Sequence, residues 1–408
     1  MRDDPSSGLL PESSLLLEIT SPVAPASQAG TDFQGCRWDL LYEQARRQQV
    51  LALLALHAAR GTSPDGIPEP YRTRLSHTRT AAALADQQQV EQLGELLADL
   101  QRNGIEVMLL KGRGLSERLY KDPAARSSVD IDLLVRPADI DAVGAILEER
   151  GYEAFRPALF RRSHFHLPYV LRNTNWPTII ELHWDVTFKD SPVRFDTSGW
   201  WETGIRTELR SGKVLVPSRE DELVYTSFHG ANRGGLTLRD LGDIARLRCH
   251  EPAELSWDTV FQTARDAGCL SFLRMVHTLC EALWPITKVP IPEELGKPGW
   301  KMRLISNLIS RRTVLAAGIE TWWPYKRILY WAALPDGRGA TSNLFSSENH
   351  FMQDLAESDP HVHQHSSILR ITPRVLTALL YCLLPLNLFP ATREAVLLGS
   401  RRPGPEGV

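Results

Sequence analysis

Residues 129–135 read VDIDLLV, an apolar run interrupted by Asp130 and Asp132. Side chains alternate across an extended strand, so Val129, Ile131, Leu133 and Val135 share one face and Asp130, Asp132 and Leu134 the other. The apolar set is built to be buried. That leaves two carboxylates about 7 Å apart on the opposite face, from the ~3.3 Å rise per residue. Like charges this close raise one another's pKa unless something positive lies between them. A divalent cation does this, and magnesium prefers hard carboxylate oxygens while retaining positions for water and phosphate.

A second acidic strand follows. In TIIELHWDVTF, residues 178–188, Glu181, His183 and Asp185 share one face and Ile180, Leu182, Trp184 and Val186 the other. If the two strands are neighbours, Glu181 completes a three-carboxylate cluster, with His183 beside it as a support for the carboxylates or a phosphate contact; Asp185 is peripheral. Three carboxylates suffice for two metal ions about 3.5–4 Å apart, the arrangement that serves in-line phosphoryl displacement. Upstream, LLKGRG at residues 109–114 places Lys111 and Gly112 where a strand turns into a helix. Glycine allows close backbone approach to a ligand, lysine adds a point charge, and a helix N-terminus adds free N–H groups. Arg126, in the loop that enters the acidic strand, is placed to clamp a phosphate. Asp139 and Asp141 repeat the D-I-D string, but in the first turn of a helix, where acids complement the dipole; they receive no site role.

Around this centre the chain divides into four parts. Residues 1–33 are rich in Pro, Ser, Ala and Gly and read as a disordered leader. Residues 34–104 read as helical, with one helix over 38–60 and another over 85–104, where Leu93, Leu96, Leu97 and Leu100 fall at i, i+3, i+4, i+7. Residues 105–217 mix strands (105–110, 129–135, 166–172, 178–188, 213–218) with short helices, including an amphipathic one over 137–151. Residues 218–408 are mainly helical, opening on a capping box at Ser218. The expected fold class is therefore α+β, a small mixed sheet flanked by helical regions on both sides.

The order strand, small-residue turn, helix, D-x-D strand, helix, third-acid strand resembles the polymerase-β-like nucleotidyltransferase superfamily. More narrowly, LLKG, then LY.DP..R, DIDLLV, RGY and IELHW resemble a bacterial nucleotidyltransferase family with an L-K-G turn, matched here at Lys111, Gly112, Tyr120, Asp122, Pro123, Arg126, Asp130, Asp132, Gly151 and Tyr152. The resemblance implies Mg²⁺-dependent transfer of a nucleoside monophosphate from an NTP such as ATP, with release of pyrophosphate. It implies that Asp130, Asp132 and Glu181 hold a two-metal site and are catalytic, and that Lys111, Gly112, Arg126 and His183 contact the nucleotide. Two departures stand out: the third acid, commonly Asp, is Glu181, and Asp240 stands where the family's later helix pair more often has an aromatic. The acceptor is a small molecule, peptide, protein or RNA. Two other functions fit the same pattern, a catalytically silent nucleotide-binding or scaffold protein of a biosynthetic cluster and a toxin–antitoxin or defence enzyme modifying tRNA or protein.

Bulk properties narrow the partners. The 408 residues are 43 % hydrophobic and 23 % charged, with a formal charge of -3. That balance gives no electrostatic reason to expect DNA. Five scattered cysteines without a C-x-x-C pair imply neither a disulfide framework nor a zinc knuckle, and a cytoplasmic location is the expectation. The apolar run at 375–390 is shorter than the ~20 residues of a membrane span and contains Pro385 and Asn387, so it reads as a buried helix without stable membrane insertion. His361, His363 and His365 lie in a loop-like segment, and the tryptophan-rich residues 320–334 read as core or interface. His229, Asn232, Arg233, Arg239 and Asp243 form a polar set on the later helices, read as a solvated face or the acceptor side of a cleft.

Overall fold

The structure is a computed structural model that describes residues 9–23, 32–60, 66–172, 177–189, 191–232, 236–249, 255–285 and 314–315. The expectations for the tryptophan-rich segment, the three histidines at 361–365 and the apolar run at 375–390 fall outside these residues, as does Arg233.

The architecture is α+β. Seven strands form one mixed sheet: β1 (Met108–Leu109), β2 (Asp130–Leu134), β3 (Glu153–Ala154), β4 (His166–Leu171), β5 (Thr178–His183), β6 (Ile205–Leu209) and β7 (Gly212–Val216), in the order β3-β4-β5-β2-β1-β7-β6. The central pair β2–β5 is parallel, with Asp130 opposite Ile179 and Asp132 opposite Glu181. β1 runs antiparallel to β2 and parallel to β7, while β4 is antiparallel to β5. The hairpin β6–β7 closes one edge. Its first strand, IRTEL, is largely exposed and carries no apolar alternation to announce it.

Helices surround the sheet: α1 (Pro11–Thr20), α2 (Trp38–Arg47), α3 (Leu51–Arg60), α4 (Glu69–Arg102), α5 (Arg113–Leu119), α6 (Ile140–Glu149), α7 (Pro157–Ser163), α8 (Trp200–Thr203), α9 (Arg219–Asn232), α10 (Leu238–Cys249), α11 (Trp257–Asp266) and α12 (Leu270–Leu283). The alternation of β2 and β5 sorts residues between two cores. Ile131, Leu133, Ile180 and Leu182 pack with Leu93, Leu96 and Leu100 of α4 and Val143 and Leu147 of α6. Leu134 and Met108 join the other core, formed largely by α1–α3 and α9–α12. The acids therefore stand on the sheet face that looks away from α4 and α6.

Four local expectations change. The leader over 1–33 is not wholly without structure, because Pro11–Thr20 is helical and buries Leu15, Leu16, Leu17 and Ile19 against the helical core. The single helix expected over 38–60 is two, broken where Gln49 adopts a left-handed φ of 58°. The break is functional in the fold, since the Gln48 side chain and carbonyl accept N–H groups from Leu238 and Arg239 at the start of α10. α4 extends to 34 residues, well upstream of its leucine stripe, through an Ala- and Arg-rich segment that favours helix without an apolar face. Val129 is 70 % exposed, so the buried face of the acidic strand begins at Ile131. The Ser218 capping box forms as read: its Oγ accepts the Asp221 N–H at 3.1 Å and donates to the Asp221 carboxylate at 2.6 Å. No helix among the described residues is long and apolar enough to cross a membrane.

Candidate active site

Parallel pairing in this register sets Asp132 directly beside Glu181, with Asp130 one pleat away. One carboxylate oxygen from each of Asp130, Asp132 and Glu181 lies within 4.8 Å of the other two. Asp132 is 1 % exposed and its two oxygens differ. Oδ1 accepts from the Lys111 ammonium at 2.6 Å and faces His183 Nε2 at 3.1 Å. Oδ2 is buried and has no hydrogen-bond partner. A buried carboxylate oxygen without a partner is costly, and such atoms call for an explanation. Asp130 accepts from Ser128 Oγ at 3.1 Å.

The turn after β1 brings the backbone against this cluster. Gly112 has φ 63°, a left-handed conformation open to glycine at no steric cost. A Cβ there would lie 3.0 Å from Ser128 Oγ and 3.4 Å from Asp132 Oδ2. Glycine is thus required both by the turn and by the closeness of the acids. Lys111 is 12 % exposed. Burial works against its charge, but Asp132 outweighs it, with Tyr225, Glu181 and Asp130 adding to the effect, and its pKa lies above the ordinary lysine range.

His183, 2 % exposed, sits between carboxylates: Nε2 is 3.1 Å from Asp132 Oδ1 and 3.3 Å from Glu181 Oε2, and Nδ1 is 3.3 Å from the Asp185 carbonyl. Burial disfavours its charged form, yet contacts with Asp132 and Glu181 raise its pKa above the usual histidine value. For Asp132, burial is overcome by Lys111 and His183, and its pKa falls. For Glu181, burial is overcome by His183 and then Lys111, in the same direction. Lys111 and His183 thus favour the ionised forms of Asp132 and Glu181.

Lys111, Gly112, Asp130, Asp132, Glu181 and His183 thus come together. Arg126 does not join them as an open phosphate clamp. It is 8 % exposed and its guanidinium binds Asp243 at 2.7 and 3.0 Å, where Tyr120 also donates to the same carboxylate at 2.7 Å. The reason is positional: Arg126 ends a 3₁₀ turn, Pro123–Arg126, capped by Asp122 and packed on α3, α4 and α5, from which its side chain reaches Asp243 of α10. Asp243 is buried, so this part of the polar set is no solvated face. Asp185 turns back on its own chain, accepting the Val186 N–H.

Tyr225 of α9 is the residue that sequence reading missed. It is 1 % exposed, packs against Phe195 and Trp200, and its hydroxyl is pushed up by burial, with Lys111, Asp132 and Glu181 as its charged neighbours. Nothing in the periodicity of α9 separates it from an ordinary core aromatic.

The donor set fits a hard cation. It consists of carboxylate oxygens, one of them buried and unsatisfied, and a lysine already neutralises the other oxygen of the same group. A family model described as uncharacterised nucleotidyltransferase matches residues 34–285, well over half of the chain. No curated protein and no solved structure matches it.

Proposed function

The chain belongs to the uncharacterised nucleotidyltransferase family, its general activity is accordingly nucleotidyl transfer, and on that premise we propose Mg²⁺-dependent transfer of a nucleoside monophosphate from an NTP to an acceptor. An acceptor hydroxyl oxygen forms a bond to the α-phosphorus as its proton passes to solvent, the bond between that phosphorus and the α–β bridging oxygen breaks, and pyrophosphate leaves with the electron pair. Asp130, Asp132 through Oδ2, and Glu181 would hold the magnesium. When bound, the ion supplies charge neutralisation for the triphosphate and a lowered pKa for a coordinated hydroxyl.

The chain's own residues have separable tasks. Lys111 holds Asp132 Oδ1 and so aims Oδ2. His183 spans Asp132 and Glu181 and fixes their separation, which makes it a positioning residue. Gly112 permits close approach of a phosphate to the backbone beside the acids. Arg126 orients the loop that delivers β2 to the site through Asp243.

The observation that carries the proposal is the unpartnered, buried Oδ2 of Asp132 among two further carboxylates. Incubation of the protein with Mg²⁺, each α-labelled NTP and cell extract tests it. The wild type transfers label to a protein, RNA or metabolite, and the Asp130→Asn, Asp132→Asn double variant does not. Transfer at wild-type level by the double variant would refute the assignment, and Mg²⁺-dependent NTP binding without product in any fraction would favour the accessory-protein function.

A further inference from the structure

On the far side of Glu181 from Asp130 lies a different donor set. β4 is antiparallel to β5 with His166 opposite His183, and this brings two imidazoles to one carboxylate. A ligand atom from each of His166, Glu181 and His183 lies within 4.8 Å of the other two. His166 Nε2 is 3.7 Å from Glu181 Oε1, and His183 Nε2 is 3.3 Å from Glu181 Oε2. Metal–ligand bonds of 2.0–2.1 Å at tetrahedral angles put neighbouring donors about 3.3 Å apart, a spacing that donors within 4.8 Å of one another reach by small side-chain shifts.

We propose that His166, Glu181 and His183 form a second cation site, selective for a borderline transition-metal ion of the Zn²⁺ class over Mg²⁺. Three observations point there. Imidazole nitrogen suits such ions, whereas magnesium takes oxygen. The Asp185 carbonyl at 3.3 Å from His183 Nδ1 is placed to take an N–H from that nitrogen, the outer-shell contact of a metal-bound histidine, while Nε2, which faces Asp132 and Glu181, would give up its proton to bind the ion. On His166, Nδ1 is buried without a hydrogen-bond partner, and Nε2 is the ring nitrogen on the Glu181 side. Phe160 and Phe165 pack beside the ring and, with the neighbouring His164, give the pair a largely apolar wall. The site is distinct from the carboxylate triad in chemistry and in two of its three ligands. Glu181 belongs to both, so an ion in one set draws on a ligand of the other.

Cobalt is the probe, because its visible absorption reports coordination directly. Full-length protein is titrated with Co²⁺, and competed with Zn²⁺ and with Mg²⁺. One ion binds with intense visible bands, Zn²⁺ displaces it, and Mg²⁺ at a hundredfold higher concentration does not. His166→Ala and His166→Gln, the second preserving volume in case the first does not fold, each weaken Co²⁺ at least tenfold and remove the bands. Asp130→Asn leaves both affinity and spectrum intact. A Co²⁺ spectrum and affinity unchanged in a folded His166 variant would overturn the proposal. So would loss of the signal in Asp130→Asn alone, which would put the ion in the carboxylate triad.

Discussion

Asp132 has two oxygens in different circumstances, one held by Lys111 and one buried without a partner, and this asymmetry defines the site at the scale of single residues. Removing Lys111 leaves a buried carboxylate uncompensated. Lys111→Met is therefore expected to cost about 3–5 kcal/mol in urea denaturation without divalent cations, most of it recovered when Asp132→Asn is added. A loss below about 1 kcal/mol would show that Asp132 is not charged in the fold. Individual side chains were only partly legible in the sequence. Asp130, Asp132 and Glu181 could be read because charge at period 2 within an apolar run has few other uses. The pairing of Arg126 with Asp243 could not be read, since the two lie 117 positions apart and no local pattern links them. Tyr225 was missed because a buried tyrosine on an apolar helix face has no distinguishing spacing.

Among elements, α6 and α2 make separate tests. A Cβ on Gly144 of α6 would lie 2.6 Å from the Tyr169 hydroxyl, on a side chain only 1 % exposed. Gly144→Ala is therefore predicted to destabilise the protein by about 1–3 kcal/mol despite the better helix propensity of alanine, and a melting temperature at or above wild type would contradict the packing of α6 on β4. In α2, Glu43 is held down to about 2 by its hydrogen bond from Arg46, with Arg47 adding to it against burial. A depressed carboxylate contributes stability above its unfolded value near 4.5 and loses it as pH falls toward 2. Glu43→Gln is expected to be about 0.5–1 kcal/mol less stable at pH 7, a figure limited by solvent screening, with the gap closing between pH 4.5 and 2; a gap independent of pH would reject the ion pairs as its cause. Element type was readable where an apolar stripe or alternation existed. Lengths were not: α4 continues through a segment in which only Tyr71 and Leu75 meet the helical core, too few to make a stripe, and β6 pairs through its backbone with little apolar patterning.

Across the whole molecule, the sheet presents its acids on the face opposite α4 and α6, and the helical core reaches that face through the Arg126–Asp243–Tyr120 contact. This predicts that Arg126→Met lowers the melting temperature by several degrees yet changes NTP affinity less than threefold, measured by calorimetry on folded protein; a tenfold loss of affinity at unchanged melting temperature would restore the phosphate clamp. The α+β class and the convergence of two acidic strands followed from residue pattern, because a mixed sheet needs only short apolar strands separated by helices. The parallel register that seats Asp132 beside Glu181 did not, since pairing depends on contacts between distant segments. That register is also what the central claim rests on. Anomalous diffraction from crystals grown with Mn²⁺ and a non-hydrolysable NTP tests it most directly. A manganese ion bonded to Asp132 Oδ2 and Asp130 and in contact with the triphosphate is expected; triphosphate bound elsewhere, with Oδ2 still unligated, would refute the site.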